Sequence, residues 1–205
     1  MESDEIRKTR GRPRAFDRAL ALDKALRLFW AQGYEGTSMS DLTSALGINA
    51  PSLYAAFESK PALYSEALEL YLARQHEQIT ALMDQALSAR EALEAMLYAA
   101  AEQYTRPDQP AGCPIASGVL RSAEANEAMA QLTATHRRNA LAMIAGRIAL
   151  DIRRGLMSAQ TDVDGLAMFY AGVIQGMSVQ AIDGASHAQL NALVKIALRA
   201  WPAHA

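Results

Sequence analysis

Hydrophobic residues recur at helical spacing along almost the whole chain of 205 residues. No stretch of convincing length alternates apolar with polar positions, so the pattern predicts an all-α protein. Residues that start and stop helices divide the chain into about nine helices. The predicted ranges are 17–32, 37–47, 49–58, a long helix that opens at 60, and then 88–104, 115–124, 126–154, 162–185 and 188–201.

The first three predicted helices are short and carry clear end signals. Asp17 is the expected N-cap of the first helix, which Gly33 ends. The second helix starts at Thr37-Ser38 and ends at Gly47, and the third follows Asn49. We expect the first helix to bury Leu20, Lys24 (by its stem), Ala25, Leu28 and Phe29, and the next two to bury Leu42, Ala45, Leu46, Leu53 and Phe57.

The second and third helices, joined by a turn at Gly47, form the pattern of a helix-turn-helix. In such a motif the second helix enters the major groove of duplex DNA. Its outward residues here are Ala50, Pro51, Ser52, Tyr54 and Ala55. The pattern alone is moderately specific, because many helical proteins contain a pair of antiparallel helices.

The composition is that of a globular protein. Hydrophobic residues make up 51% of the chain and the formal net charge is −2, which excludes a collagen-like or wholly disordered chain. Cys113 is the single cysteine, so an internal disulfide framework and a multi-cysteine zinc site are excluded. No apolar run is long enough to span a membrane and the first residues carry no secretory signal, so we expect a cytoplasmic protein. No metal or cofactor is expected.

Basic residues are concentrated before the first helix. Arg7, Lys8, Arg10, Arg12 and Arg14 lie close together, and Gly11 and Pro13 keep this stretch from being a helix interior. Residues 1–14 are therefore expected to be a flexible basic arm. Such an arm suits a polyanion, because each neutralised phosphate releases counterions; a solvated tail is the alternative.

The block from Phe29 to Leu63 closely resembles the tetracycline-repressor (TetR) family of bacterial transcriptional regulators, and the signature covers about the first 70 positions. The residues that carry the resemblance are Phe29, Gly33-Tyr34, Thr37-Ser38, Asp41-Leu42, Leu46-Gly47-Ile48, Ser52-Leu53-Tyr54, Phe57, Ser59-Lys60 and Leu63.

The resemblance implies a homodimer that sets two helix-turn-helices in successive major grooves of a near-palindromic operator. By family analogy Thr37, Ser38, Tyr54 and Lys60 hold phosphates, while Ala50, Pro51 and Ser52 face bases. Ala55, Ala56 and Glu58 depart from many relatives and leave little base-reading chemistry, so we expect Arg12 and Arg14 to add minor-groove contacts. A packed core tyrosine and a merely exposed lysine are the alternatives for Tyr54 and Lys60.

The resemblance also implies a second domain. The expected division is a DNA-binding domain over 15–62 and an effector-binding and dimerisation domain over 63–205. Candidate residues of the effector pocket are Tyr98, Tyr104, Cys113, Arg121, Met143, Phe169 and Gln175. Methionines at helical spacing suit an adaptable pocket, although plain core is the alternative, and His136 beside two arginines is expected to face solvent.

The last two helices are expected to build the dimer bundle of the family. Packing within one chain is the alternative. The residues concerned are Gly172, Gly176, Ser178 and Ala181 with Leu190, Leu193, Ile196, Ala197 and Trp201.

Gly112-Cys113-Pro114 resembles a Gly-Cys loop of one subgroup, some members of which sense electrophiles or oxidants through the thiol. A helix start at this point would favour a thiolate. The alternative is a small buried residue without reactivity.

The leading interpretation is a DNA-binding transcriptional regulator, specifically a repressor that a small-molecule effector releases from its operator. A thiol-based sensor acting through Cys113 is one alternative. A DNA-binding module without an effector is another. A cytosolic helical enzyme is a third, and no Gly-rich phosphate loop or nucleophile set in the sequence favours it.

Overall fold

A computed structural model describes residues 17–119 and 123–202. Over these ranges the protein is all-helical and contains no strand, so the predicted fold class is confirmed. The helices are α1 (Arg18–Gly36), α2 (Met39–Leu46), α3 (Ala50–Phe57), α4 (Lys60–Gln85), α5 (Ala89–Tyr104), α6 (Glu127–Arg153), α7 (Val163–Ile182) and α8 (His187–Ala197). Short 3₁₀ turns at Glu124–Asn126 and Leu198–Ala200 precede α6 and follow α8.

The predicted end signals of the first helices are present. The Asp17 carboxylate accepts the backbone N–H of Leu20 and caps α1. Ser38 caps α2, and Asn49 accepts the N–H of Ser52 to cap α3. Gly47, between α2 and α3, has a φ of 70°, in the left-handed region that glycine adopts without penalty. Local residue chemistry therefore sets the boundaries of the helix-turn-helix.

Two details of the predicted burial are wrong. The inward face of α1 is centred on Ala21, Ala25 and Phe29, whereas Leu20 and Lys24 are exposed. Ala45, expected inside, is also exposed. The face is rotated because α1 packs along α4, and the side chains pointing at α4 recur from Ala21 rather than from Leu20.

The helix predicted over 115–124 is wrong where the structure describes it. Residues 105–119, called here the connecting segment, form turns between α5 and α6. Tyr104 accepts the N–H of Gly112 at 3.0 Å, and the Ser178 hydroxyl of α7 accepts the N–H of Cys113 at 2.8 Å. Within the predicted range, Arg137 donates to the carbonyl of Ile115 at 3.1 Å and the Thr133 hydroxyl donates to the carbonyl of Val119 at 3.0 Å. These side chains satisfy the backbone carbonyls without a helix.

The helix-turn-helix is fixed to α4 at two points. Arg18 donates to the backbone oxygen of Ala56 and to Glu66 of α4, and its guanidinium lies 4.5 Å from the centre of the Phe57 ring. Glu58 joins α3 to α4 in a γ-turn, with φ 62° and ψ −53° and the N–H of Ser59 on the carbonyl of Phe57. The C-terminal end of α3 therefore has little freedom to move relative to α4.

A buried ion pair fastens α6 to the beginning of α5. Arg147 and Asp151 lie 3.1 Å apart and are almost fully buried. Asp151 also accepts the N–H of Ala89, and Arg147 donates to the carbonyl of Ala86. Both charges are thus bonded to backbone as well as to each other, which offsets part of their desolvation cost.

The seventh helix is long and apolar. Val163–Ile182 is the one helix of the described ranges whose length and hydropathy would suit a membrane span, with a mean hydropathy of 1.3 over its most apolar window, of which 28% is buried. The sequence analysis expected no membrane-spanning segment because it considered only uninterrupted apolar runs, whereas α7 is apolar on average. The unburied part is an apolar surface that includes Met168, Val179 and Ile182 of α7, and Ile196 of α8 adds to it.

We predict that Gly112→Ala destabilises the protein more than Gly155→Ala. Both glycines have a φ near 70°, which costs an alanine about 1 kcal/mol. A Cβ on Gly112 would also lie 2.8 Å from the backbone oxygen of Ser178, whereas one on Gly155 meets nothing within 4 Å. Urea unfolding at one protein concentration should give about 2–4 kcal/mol for Gly112→Ala and about 1 kcal/mol for Gly155→Ala. Equal losses would contradict the contact with α7.

Candidate nucleic-acid interface and ligand cavity

The third helix presents one face to solvent. Leu53 and Phe57 are buried against the rest of the helix-turn-helix, while Tyr54 is 48% exposed. The exposed residues include every outward position expected from the sequence, namely Ala50, Pro51, Ser52, Tyr54 and Ala55. Apart from the Ser52 hydroxyl and the Tyr54 phenol, the side chains on this face are small and apolar. The face can therefore recognise a DNA groove more by its shape than by hydrogen bonds to base edges.

The hydroxyls at the start of α2 are already bonded within the protein. Thr37 is fully buried, and its hydroxyl donates to the carbonyl of Gly33 at 2.7 Å. Ser38 is exposed but donates its hydroxyl to Asp41 at 2.6 Å and accepts the N–H of the same residue. These bonds to Ser38 hold the pKa of the Asp41 carboxyl below its usual value. Of the two hydroxyls, only that of Ser38 lies on the outer surface.

Lys60 begins α4 and is half-buried. Its ammonium lies 4.2 Å from the centre of the Tyr34 ring, in a cation–π contact. Burial lowers the pKa of Lys60, and the carboxylate of Glu35 opposes that shift. The contact fixes the cation beside the α3–α4 junction. The basic residues Arg12 and Arg14 lie outside the described residues.

A cavity of about 180 Å³ lies in the larger part of the molecule. Side chains of α4, α5, α6 and α7 line it, and Cys113, Ile115 and Ala116 of the connecting segment complete the wall. Most of the lining is apolar, with a few amide, phenol and basic groups. A largely apolar cavity with few polar groups is typical of small-molecule sites.

The expected pocket residues fall into three groups. Tyr104, Cys113, Met143 and Gln175 line the cavity. Tyr98 and Phe169 do not, because Phe169 is 42% exposed on the outer face of α7 and Tyr98 lies on another side of α5. Arg121 lies outside the described residues.

Sequence reasoning missed much of the α6 wall. His136 was expected in solvent, but it lines the cavity and its Nε2 atom is buried without a partner. Arg137, Ala140, Met143 and Ile144 line the same wall, and His136, Ala140, Met143 and Ile144 recur at spacings of three and four residues as one helical face. That periodicity was the available signal, and the charged neighbour Arg138 masked it.

Cys113 is buried at the cavity wall and does not begin a helix, contrary to the expectation. Its sulfur accepts the hydroxyl of Tyr71 at 3.3 Å and the N–H of Ala116 at 3.4 Å. Burial, and next the neighbouring Cys113, raise the pKa values of Tyr71 and Tyr104 well above their usual range. The two phenols therefore remain protonated.

The connecting segment contacts α1 as well as the cavity. Arg27 of α1 donates to the carbonyl of Asp108 at 2.7 Å, and the Trp30 indole N–H donates to the carbonyl of Ala111 at 3.1 Å. The Trp30 ring also meets the edge of Tyr71, with centres 5.1 Å apart. One short stretch of chain thus contacts the cavity, α7 and α1.

Two family models match the chain. The model described as bacterial regulatory proteins, tetR family, matches residues 21–67, and the model described as tetracyclin repressor-like, C-terminal domain, matches residues 89–193. Together they span both the helix-turn-helix and the helices around the cavity. The family resemblance seen in the sequence is confirmed.

Similar proteins include transcriptional repressors. The HTH-type transcriptional repressor ComR of Escherichia coli (strain K12) is 38% identical over 210 residues, which covers 96% of this chain and 94% of ComR. The repressor BdcR of the same organism is 32% identical over 188 residues, covering 91% and 90%. A structure of the TetR family transcriptional regulator CifR, a cysteine mutant complexed with 26-bp operator DNA, has a TM-score of 0.89 and 41% identity and covers 94% of this chain and 100% of that one. The chain therefore belongs to the tetR family of bacterial regulatory proteins and is a DNA-binding transcriptional regulator.

Proposed function

We propose that the protein is a homodimeric repressor that leaves a near-palindromic operator when a small molecule occupies the cavity of about 180 Å³. The observation that carries this proposal is the connecting segment, which forms part of the cavity wall and also bonds to α1 through Asp108 and Ala111. A ligand that changes the conformation of this segment therefore also acts on α1, which belongs to the proposed DNA-binding domain. Such coupling requires only different affinities of the ligand for the two states.

The proposed DNA contacts divide by chemistry. Ala50, Pro51 and Ser52 face base edges in the major groove, flanked by Tyr54 and Ala55 on the same exposed face. Ser38 and Lys60 lie near helix N-termini, where phosphate oxygens are favoured, and Tyr54 offers its phenol. Thr37 contributes only by holding the turn before α2, because its hydroxyl is committed to Gly33.

The basic arm supplies the remaining positive charge. Because Lys60 is the one basic residue between positions 37 and 60, Arg12 and Arg14 are proposed to reach the adjacent minor groove. The complex of the relative CifR with 26-bp operator DNA supports the same mode of action for this chain.

The proposed dimer interface is the apolar surface of α7 and α8. Met168, Val179 and Ile196 are exposed there, with Gly172 and Gly176 leaving room for close helix approach. Ser178, Ala181, Leu190 and Ala197 from the expected set are instead buried within the chain. A partner subunit covering this surface accounts for the apolar character of α7 without a membrane.

The domain division and the compartment belong to the same proposal. We place a basic arm at 1–14, a DNA-binding domain at 15–62 and an effector-binding and dimerisation domain at 63–205. Because α4 contacts both α1 and α5, we place the boundary inside this helix. A regulator that works on chromosomal DNA acts in the cytoplasm, and repression needs no enzymatic activity.

A thiol sensor at Cys113 is the second candidate. The sulfur lies on the cavity wall, where it accepts hydrogen bonds from the Tyr71 hydroxyl and the N–H of Ala116. A small electrophile that enters the cavity would meet this atom. The two candidates share the cavity and differ in whether a covalent bond forms.

We predict that the protein shifts a DNA fragment taken from next to its own coding region in a mobility-shift assay. Ala55→Asp should lower the affinity at least tenfold, because the new carboxylate lies on the exposed face of α3 opposite phosphates. Ala159→Asp adds the same charge at an exposed site outside the reader and is the matched control. Failure of the wild type to shift any such fragment at low ionic strength would overturn the proposal.

We predict that operator DNA changes amide hydrogen exchange in the connecting segment, because coupling between two sites is reciprocal. Trp30→Phe retains a ring against Tyr71 and removes the bond to Ala111. It should reduce this change while the variant still binds DNA, because Arg27 still bonds the carbonyl of Asp108. Trp201→Phe, which alters a ring against Tyr170, is the control and should leave the change intact. An unaltered exchange response in Trp30→Phe would exclude this route.

A third prediction separates the two candidates. If the effector binds without a covalent bond, Cys113→Ser should retain operator binding and should behave like the wild type when N-ethylmaleimide is added, with no release in either protein. The readout is the mobility shift together with intact-mass spectrometry of the single cysteine. Release of wild type alone, accompanied by one adduct at Cys113, would favour the thiol sensor.

A further inference from the structure

The chemistry of the cavity lining points to one class of effector, and this inference rests on the proposed function of the cavity. Among the described residues that line it, Arg137 is the single fully charged side chain, and no aspartate or glutamate is present. The remaining polar lining groups are amides, phenols, one thiol and one imidazole. The electrostatic potential inside the cavity is therefore neutral to positive, which disfavours a cationic ligand.

Arg137 carries a charge that the described part of the protein does not neutralise. Its Nη1 atom donates to the carbonyl of Ile115 at 3.1 Å, and it forms no ion pair within the described ranges. Burial lowers the pKa of Arg137, with Tyr64 opposing and Arg138 adding to the shift. A guanidinium has five N–H donors in a planar fork suited to a carboxylate, and four of them remain available here.

His136, the preceding residue of α6, adds a second polar atom to the same cavity lining. Its Nε2 is shielded from solvent and has no hydrogen-bond partner. Burial lowers the pKa of His136, against the effect of Glu69, which is exposed and does not line the cavity. The imidazole is therefore neutral at neutral pH, and with the proton on Nε2 it can donate to an acceptor. An unpartnered buried polar atom costs free energy until a ligand bonds to it.

The rest of the cavity sets the size and polarity of the ligand body. Leu72, Ile79, Met96, Met143 and Ile174 line its walls. A volume of about 180 Å³ is close to that of cavities of roughly 150 Å³ that accept benzene. The body must therefore be apolar and compact, with about four to eight carbon atoms.

We propose that the effector is a small monocarboxylic acid whose carboxylate binds Arg137 and the Nε2 atom of His136, with its apolar body among the α4, α5 and α7 side chains. By binding the available donors, the carboxylate draws the guanidinium into the cavity and away from the Ile115 carbonyl. Ile115 belongs to the connecting segment, so occupancy loosens the tie between α6 and that segment. The same segment bonds to α1 through Asp108 and Ala111, so binding of the acid can affect the proposed DNA-binding domain.

The test compares ligands of one shape and different charge. Butyrate, hexanoate, benzoate and phenylacetate are titrated into the full-length protein without DNA, with benzamide and benzylamine as neutral and cationic analogues of benzoate. Binding is measured by calorimetry and by the rise in melting temperature. We expect at least one acid to bind, benzamide to bind about tenfold or more weakly than benzoate, and benzylamine not to bind.

Variants assign the binding to the proposed residues. Arg137→Gln should weaken the acid about tenfold to a hundredfold, and Arg137→Lys should recover part of the loss. Arg138→Gln removes an exposed charge that bonds Thr135 and is the matched control. Circular dichroism and operator binding without ligand check that each variant is folded.

Three results would overturn the proposal: no binding by any of the four acids at millimolar concentration, equal binding of benzamide and benzoate, or an unchanged affinity in Arg137→Gln. Each is measured on protein without DNA. If the wild type still shifts operator DNA while one of these results is obtained, only the effector proposal fails. If the wild type does not shift operator DNA, the proposed repressor function fails, whatever the result of the acid titrations.

Discussion

The position of Tyr71 on α4 underlies the rest of the structure. One side of its ring packs against Trp30 of α1, and its hydroxyl donates to the sulfur of Cys113. Tyr71 also lines the cavity, so one buried side chain contacts α1, the connecting segment and the cavity. Because protein interiors are close-packed, a displacement on one side of such a residue must be accommodated on the others.

Most of the fold could be predicted because its determinants are local. Asp17, Ser38 and Asn49 cap helices through their own side chains, and Gly47 adopts the backbone conformation that a tight turn needs. Helical periodicity located eight helices with errors of a few residues at their ends. It failed over 115–119, the described part of the predicted helix 115–124, because side chains of α6 satisfy that backbone instead: Arg137 donates to the carbonyl of Ile115 and Thr133 to that of Val119.

The two parts of the functional site differ in how far the sequence predicts them. The exposed face of α3 follows from its short amphipathic pattern, since Leu53 and Phe57 must point inward. The cavity depends on how four helices and a turn segment come together. His136 and Arg137 have the sequence of a solvated surface, and only the packing of α6 against the connecting segment encloses them. Thr37 illustrates the same limit, because its bond to Gly33 depends on a kink in α1 at Gly33, where φ is 74° and ψ is 169°.

The γ-turn at Glu58 has a consequence for the kind of DNA site that can be used. Two residues, Glu58 and Ser59, link the recognition helix α3 to α4, and Arg18 binds both sides of that link. In a dimer, each recognition helix therefore follows its own α4 as one body, and the distance between the two is set by the subunit arrangement rather than by flexible linkers. Selectivity then resides largely in the number of base pairs that separate the half-sites. Adding or removing one base pair rotates one half-site relative to the other by about a tenth of a helical turn. The short connection between α3 and α4 does not allow the recognition helix to reorient by that amount.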